Sequence, residues 1–150
     1  MAHPESRRFL PIREAVCAVL VSAPELAEVK SVVRDREAFA RLPATRYPAL
    51  GVFFADTVGE ERARWVGNRR DHAYQMEVHV AVRSLESAQV CEDLLFAYVE
   101  AVEDALRAAP TLGGMVRSLS TSLVQRVQAK VEQYWHSEAV LLVIAEQRTP

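Results

Sequence analysis

The chain has 150 residues, a net charge of −2, and 50% hydrophobic against 25% charged side chains. That size and balance suit one soluble globular domain spanning 1–150 and exclude a disordered or low-complexity chain. Near-neutrality also argues against a dedicated nucleic-acid binder, whose affinity comes mainly from phosphate neutralisation by Lys and Arg.

The amino end, "MAHPESRRFLP", lacks the apolar core of a secretory signal. Pro11 suits a first helical turn, where its missing N–H costs nothing. A nearly all-apolar helix is predicted over 12–21, buried on most sides or covered by neighbouring subunits, and stopped by Pro24. "EVKSVVR" (28–34) reads as a strand, 35–48 as a connector with one helical turn, and "ALGVFFA" (49–55) as a second strand.

Residues 56–71, "DTVGEERARWVGNRRD", form a long charged connection between strands, and long loops are more often functional than neutral. Arg62, Arg64, Trp65, Arg69 and Arg70 gather there. One large aromatic and several planar, charge-assisted donors are the residue types that dominate interface hot spots. The arginines and Trp65 also fit a stacking patch for single strands, which the overall acidity disfavours.

The clearest alternation follows. Tyr74, Met76, Val78, Val80 and Val82 share one face of a strand; Gln75, Glu77, His79, Ala81 and Arg83 share the other, a wet or contacted one. Ser84 is placed to cap a helix over about 84–108, with Cys91, Leu94, Leu95, Tyr98, Val102, Ala105 and Leu106 at three- and four-residue spacing. Pro110 ends that helix, and Gly113 and Gly114 supply positive φ for a tight reversal. Alternation returns over 115–131, with Leu119, Thr121, Leu123, Val127, Ala129 and Val131 assigned to one face. "AVLLVIA" (139–145) closes the chain as a central strand. The fold class is α+β: a single mixed, largely antiparallel sheet of about five strands with two main helices packed on it, in the order α-β-β-β-α-β-β. Cys17 and Cys91 read as buried small hydrophobes, and no apolar run reaches membrane-span length.

Catalytic chemistry is not legible. His3, His72, His79 and His136 have no partners at metal-ligand spacing, so no metal or cofactor is expected. Glu77 and His79 share a strand face and could form an acid–base pair, but polar residues on a wet face need no catalytic explanation. His136 reads as an exposed strand-end residue. The glycines of "TLGGMV" precede a strand, whereas anion cradles place them before a helix.

The element order, "RYPALGVFF" (46–54), the alternating "YQMEVHVAV" (74–82) and the helix ending in "TLGG" (111–114) resemble the tail terminator proteins of long-tailed bacteriophages and phage-derived particles, from Ile12 to Ala145. The resemblance implies a non-enzymatic structural protein of the virion tail, assembled in the host cytoplasm. It implies a ring of six copies that caps the tail tube, ends its polymerisation and joins tail to head. The implied partners are the chain itself, the tail tube protein and a head-completion or neck protein. DNA would pass through the bore without specific binding, past a neutral or acidic lining. A head-completion or neck adaptor ring is the near alternative; a small ligand-binding or enzymatic α+β domain is the distant one, and needs a closed pocket with convergent polar groups.

Overall fold

The computed structural model describes residues 4, 6–55, 64–66 and 69–149, with the backbone alone for 64–66, 69–72, 148 and 149. It is an α+β fold: α1 (Phe9–Ser22), β1 (Ser31–Val33), α2 (Arg36–Ala40), β2 (Ala49–Phe54), β3 (Arg64–Val66), β4 (Arg69–Ser84), α3 (Ala88–Arg107), β5 (Ser118–Val131) and β6 (Tyr134–Thr149). The sheet runs β1-β2-β4-β6-β5, with β3 added beside β4. Among the described residues β1 and β2 pair in parallel, and the β2–β4, β3–β4, β4–β6 and β5–β6 pairings are antiparallel. The predicted order is therefore present, with a short α2 inside the connector and β3 inside the long 56–71 connection. Among the described residues, no helix is long and apolar enough to cross a membrane.

One face of the sheet carries the main core. Tyr74, Met76, Val78, Val80 and Val82 of β4 and Ala139, Leu141, Val143 and Ala145 of β6 are all buried against α1 and α3. Their alternation along extended strands is what sends every second side chain inward. In α1, Ile12, Val16, Cys17 and Leu20 are buried while Val21 is 64% exposed. Of the two expectations, burial on most sides is not met within the single chain, where the helix is buried along one side; cover by neighbouring subunits would fall on the open side, at Leu10 and Val21.

The long helix starts later than predicted. Ser87, not Ser84, is its N-cap, its Oγ accepting from the Val90 N–H at 3.1 Å. Ser84 instead accepts from the Glu86 N–H and shapes the turn between β4 and α3. At its other end α3 stops before Pro110. Leu112, Gly113 and Gly114 then take φ values of 48°, 71° and 90°. Leu112 accepts the left-handed conformation with its side chain buried, while the two glycines need no such compensation. A Cβ at Gly113 or Gly114 would meet nothing within 4 Å, so a valine there costs backbone strain alone. Gly113→Val and Gly114→Val should each lower the unfolding free energy by about 1–3 kcal/mol, read from denaturant midpoints; native stability in both would refute the backbone explanation.

The strand β5 departs from its predicted pattern. Pairing with β6 steps from Leu123↔Leu141 to Gln125↔Val140, a bulge that inserts Val124. A bulged residue shifts everything beyond it to the opposite face. Leu119, Thr121 and Leu123 therefore share the helix-side face with Ala145, Val143 and Leu141. Val127, Ala129 and Val131 pair with Glu138, His136 and Tyr134 on the other face. The single apolar face expected for 119–131 is two half-faces, and Arg126, Gln128 and Lys130 take the helix side. Arg126 pairs with Glu92 of α3, and the Gln128 Nε2 donates to the Ala88 carbonyl at 2.8 Å.

The second face of the sheet has a smaller cover. Phe39 of α2, Tyr47, Ala49, Phe53 and Ala81 form a separate buried group, with Phe39 and Phe53 edge to face at 5.7 Å. Gly51 is required there by close approach: a Cβ would strike the Phe53 ring, with Cε2 at 2.7 Å and the Phe39 ring at 3.1 Å. Phe53 is itself buried, so its ring must shift within the packed group to make room. Gly51→Ala should cost about 1–3 kcal/mol through overpacking, and near-ultraviolet circular dichroism should register the displaced ring; an unchanged spectrum and midpoint would count against that packing.

Candidate functional site

The five residues singled out in the 56–71 connection fall at the margin of the described structure. Arg62 lies outside the described residues. Arg64 and Trp65 stand on β3, and Arg69 and Arg70 on β4, with Trp65 opposite Arg70 and Arg64 opposite Asp71 in an antiparallel hairpin. The same stretch of β4 pairs with the end of β6, Arg70 opposite Thr149. These four residues are thus brought together on one small hairpin at a sheet corner. Pro110, Gly113 and Gly114 lie in the α3–β5 connection.

A second feature was not singled out in sequence. The strand β5 is an outer strand of the sheet, and every residue from Ser122 to Val131 is exposed. Leu123, Val124, Val127 and Val131 are 37–56% exposed and make up four of the nine large exposed hydrophobics among the described residues. Isolated exposed apolar residues are ordinary, but several along one edge with open backbone donors and acceptors mark a contact surface. The bulge and the cations Arg126 and Lys130 are features that discourage indiscriminate edge pairing.

The densest polar arrangement crosses the second face from α2 to β6. The Arg36 guanidinium donates to the Phe54 carbonyl at 2.8 Å and lies 3.4 Å from Glu77 Oε1. His79 Nε2 stands 3.0 Å from Glu77 Oε1, and its Nδ1 stands 3.5 Å from Glu138 Oε2. Glu138 Oε1 is 3.4 Å from His136 Nε2, and Arg83 Nε donates to His136 Nδ1 at 3.1 Å. Arg83 also stacks over the Tyr47 ring at 4.4 Å. Six groups therefore alternate in a continuous chain, Arg36–Glu77–His79–Glu138–His136–Arg83.

Donor logic assigns the protons. Arg83 has only donors, so His136 must accept through Nδ1 and carry its proton on Nε2, facing Glu138. His79 has a carboxylate at each ring nitrogen, which satisfies both only if both nitrogens carry protons. Burial opposes that charge, and the hydrogen bonds and attraction from Glu138 and Glu77 outweigh it, so the His79 pKa stands above the usual histidine value. Burial likewise opposes the charge of Glu138, but its hydrogen bonds to His136 and His79 win and hold it down to about 2. The network is a charge-compensated brace. Among the described residues, no group of three or more His, Cys, Asp or Glu side chains is placed to hold a metal ion.

His136 is therefore not the exposed strand-end residue expected of it; its side chain is 18% exposed and bonded on both nitrogens. Glu77 and His79 do meet, as their shared parity allowed. Arg36, Tyr47, Arg83 and Glu138 escaped notice because their convergence depends on register. The pairs Ala81↔Glu138 and Arg83↔His136 align residues far apart in the chain, and no spacing in the sequence encodes that offset.

No protein-family model and no curated protein sequence matches this chain. Its structure is similar to a chain of the "virion of native gene transfer agent (GTA) particle", at 15% sequence identity and a TM-score of 0.47, covering 94% of this chain and 99% of that one.

Proposed function

We propose that this chain is a ring-forming structural protein of a phage-type tail, acting as a tail terminator. Copies associate head to tail, close into a ring of six, cap the tail tube and present a surface for the head-completion or neck protein. The observation that carries the assembly reading is β5: a 14-residue outer strand with apolar side chains on solvent at four positions. The terminator role rests on the resemblance of "RYPALGVFF", "YQMEVHVAV" and "TLGG" to that family. A heterologous interface closes only when each subunit turns by a fixed fraction of the circle, so two unlike faces must match. The β5 edge supplies one; the Arg64, Trp65, Arg69 and Arg70 hairpin, with Arg62 beside it in sequence, is proposed for the tube contact.

The test is mass photometry and electron-microscopy class averaging of the protein alone, with tail tubes of the same particle, and with portal rings. A ring on tube tips that halts tube growth is the expected result. Capture by portal rings and not by tubes would assign the neck adaptor role instead, and a protein that joins neither would end the proposal. Val124→Asp should abolish ring formation while leaving the fold intact, since the bulge residue has no cross-strand partner and is 56% exposed, and a surface position changes stability by only about 0.5 kcal/mol. Trp65→Ala should weaken capping; unchanged capping would remove Trp65 from the tube interface.

A further inference from the structure

The cover on the second face of the sheet, residues 34–48, has little to hold it. Its buried side chains are Phe39 and Tyr47. Each is tied to the polar chain beneath. Arg36 grips Glu77 and the Phe54 carbonyl at one end. Tyr47 lies under Arg83 and edge-on to His136, at 5.5 Å, at the other. Between them, Phe39 rests against the His79 ring at 5.8 Å, and Phe53 lies beside both, 5.0 Å from His79 and 5.7 Å from Phe39. His79 is thus both the packing floor of the cover and the centre of its charge network.

We propose that this network is a proton-operated latch, in which His79 bearing both ring protons clamps the 34–48 cover onto the sheet and His79 bearing one releases it. The reason is geometric. Loss of one proton turns a ring nitrogen into a lone pair facing a carboxylate oxygen, 3.0 Å away at Glu77 or 3.5 Å away at Glu138. Donor and acceptor become two acceptors, which repel. The ring must turn or retreat, and Phe39 loses its floor. The charge count changes in the same sense: two carboxylates that flanked a cation then flank a neutral ring.

The groups facing His79 are few. Its own strand supplies Glu77 and Arg83, β6 supplies Glu138 and His136, and α2 supplies Arg36; β2 contributes Gly51 and Phe53, which do not titrate. Tyr47 stays neutral through this range, because burial raises its pKa. The raised pKa of His79 places release on the alkaline side of the ordinary histidine range. The latch operates within one subunit and does not depend on ring assembly. Release would bare Phe53 and Ala81.

The test is nuclear magnetic resonance of the full chain in a series of pH values running from below the ordinary histidine pKa to well above it. The His79 ring shift is followed together with exchange protection of the Phe39 and Leu42 amides, which donate to Asp35 and Phe39 carbonyls. Protection factors, corrected for intrinsic exchange, should fall at least about tenfold with the His79 midpoint, the scale of one hydrogen bond to an ionised group. The Leu95 amide, inside α3, should stay protected. Glu138→Gln keeps the shape and replaces one carboxylate by an amide whose N–H can donate to the ring lone pair, so the His79 midpoint should move to lower pH and the fall in cover protection should shrink or vanish. In His79→Gln the cover should exchange at the acid end of the series as the native protein does on the alkaline side. Cover protection that stays flat while His79 titrates, or a fall in protection that Glu138→Gln leaves undiminished, overturns the latch.

Discussion

Truncating Leu141 to alanine is expected to lower the unfolding free energy by about 2–5 kcal/mol. Leu141 is fully buried and lies on the rung Val78–Leu141–Leu123, in the interior of the sheet beneath α3. Strands hydrogen-bonded on both sides hold β6 in place, so the space left behind cannot collapse, and the cavity adds to the lost transfer energy. Leu123→Ala on the same rung should cost under about 1 kcal/mol, because that side chain is 43% exposed. Urea unfolding of the two variants, compared at equal m-value, separates them. Equal costs would mean that the register of β5 on β6 is wrong, and with it the exposure on which the assembly reading depends.

The same rung shows what was legible beforehand. Period-2 alternation located β4 over 74–83, because one face of that stretch is sealed by α1 and α3; the start of the strand, from Arg69, lies in what reads as the 56–71 connection. The three- and four-residue spacing located α3 for the same reason. The true cap, Ser87, lay three residues beyond the serine first chosen; both precede the apolar spacing, and only the backbone turn at Ser84 decides between them. In β5 alternation misled. "SLVQRV" carries adjacent apolar residues at Leu123 and Val124, and that doublet is the one local sign of the bulge. A strand exposed on its outer edge is under weak pressure to keep its period, so pattern alone cannot tell a bulge from a continuation.

The site was less legible than the fold. Charge and aromatic content drew attention to Arg64, Trp65, Arg69 and Arg70, and the β3–β4 hairpin does bring them onto one small element. The polar chain of the second face was visible only as fragments: Glu77 and His79 by parity, His136 as an isolated residue, Arg36 lost in a connector. Long-range register assembles such a site, and register is set by the packing of the opposite, apolar face. The polar geometry of the second face is therefore set by the mainly apolar side chains of the first.

Glu138→Ala is the second large effect, expected at about 2–3 kcal/mol near pH 5 to 6, below the figure for a fully buried pair because the carboxylate keeps some solvent contact. The variant leaves His79 and His136 without their shared acceptor. Its pH dependence has a definite sign on each side. Glu138 ionises at about 2 when folded against 4.5 ordinarily, so its contribution is complete above 4.5 and fades as pH falls towards 2. His79 is shifted the other way: its contribution is complete below 6.5 and fades as pH rises through its raised folded value. The gap between native and variant stability should therefore be widest between 4.5 and 6.5, narrowing on both flanks. Denaturant titrations at a series of pH values measure that gap directly. A constant difference across the series would show that Glu138 acts by packing and not by charge, and would remove the electrostatic brace from the second face.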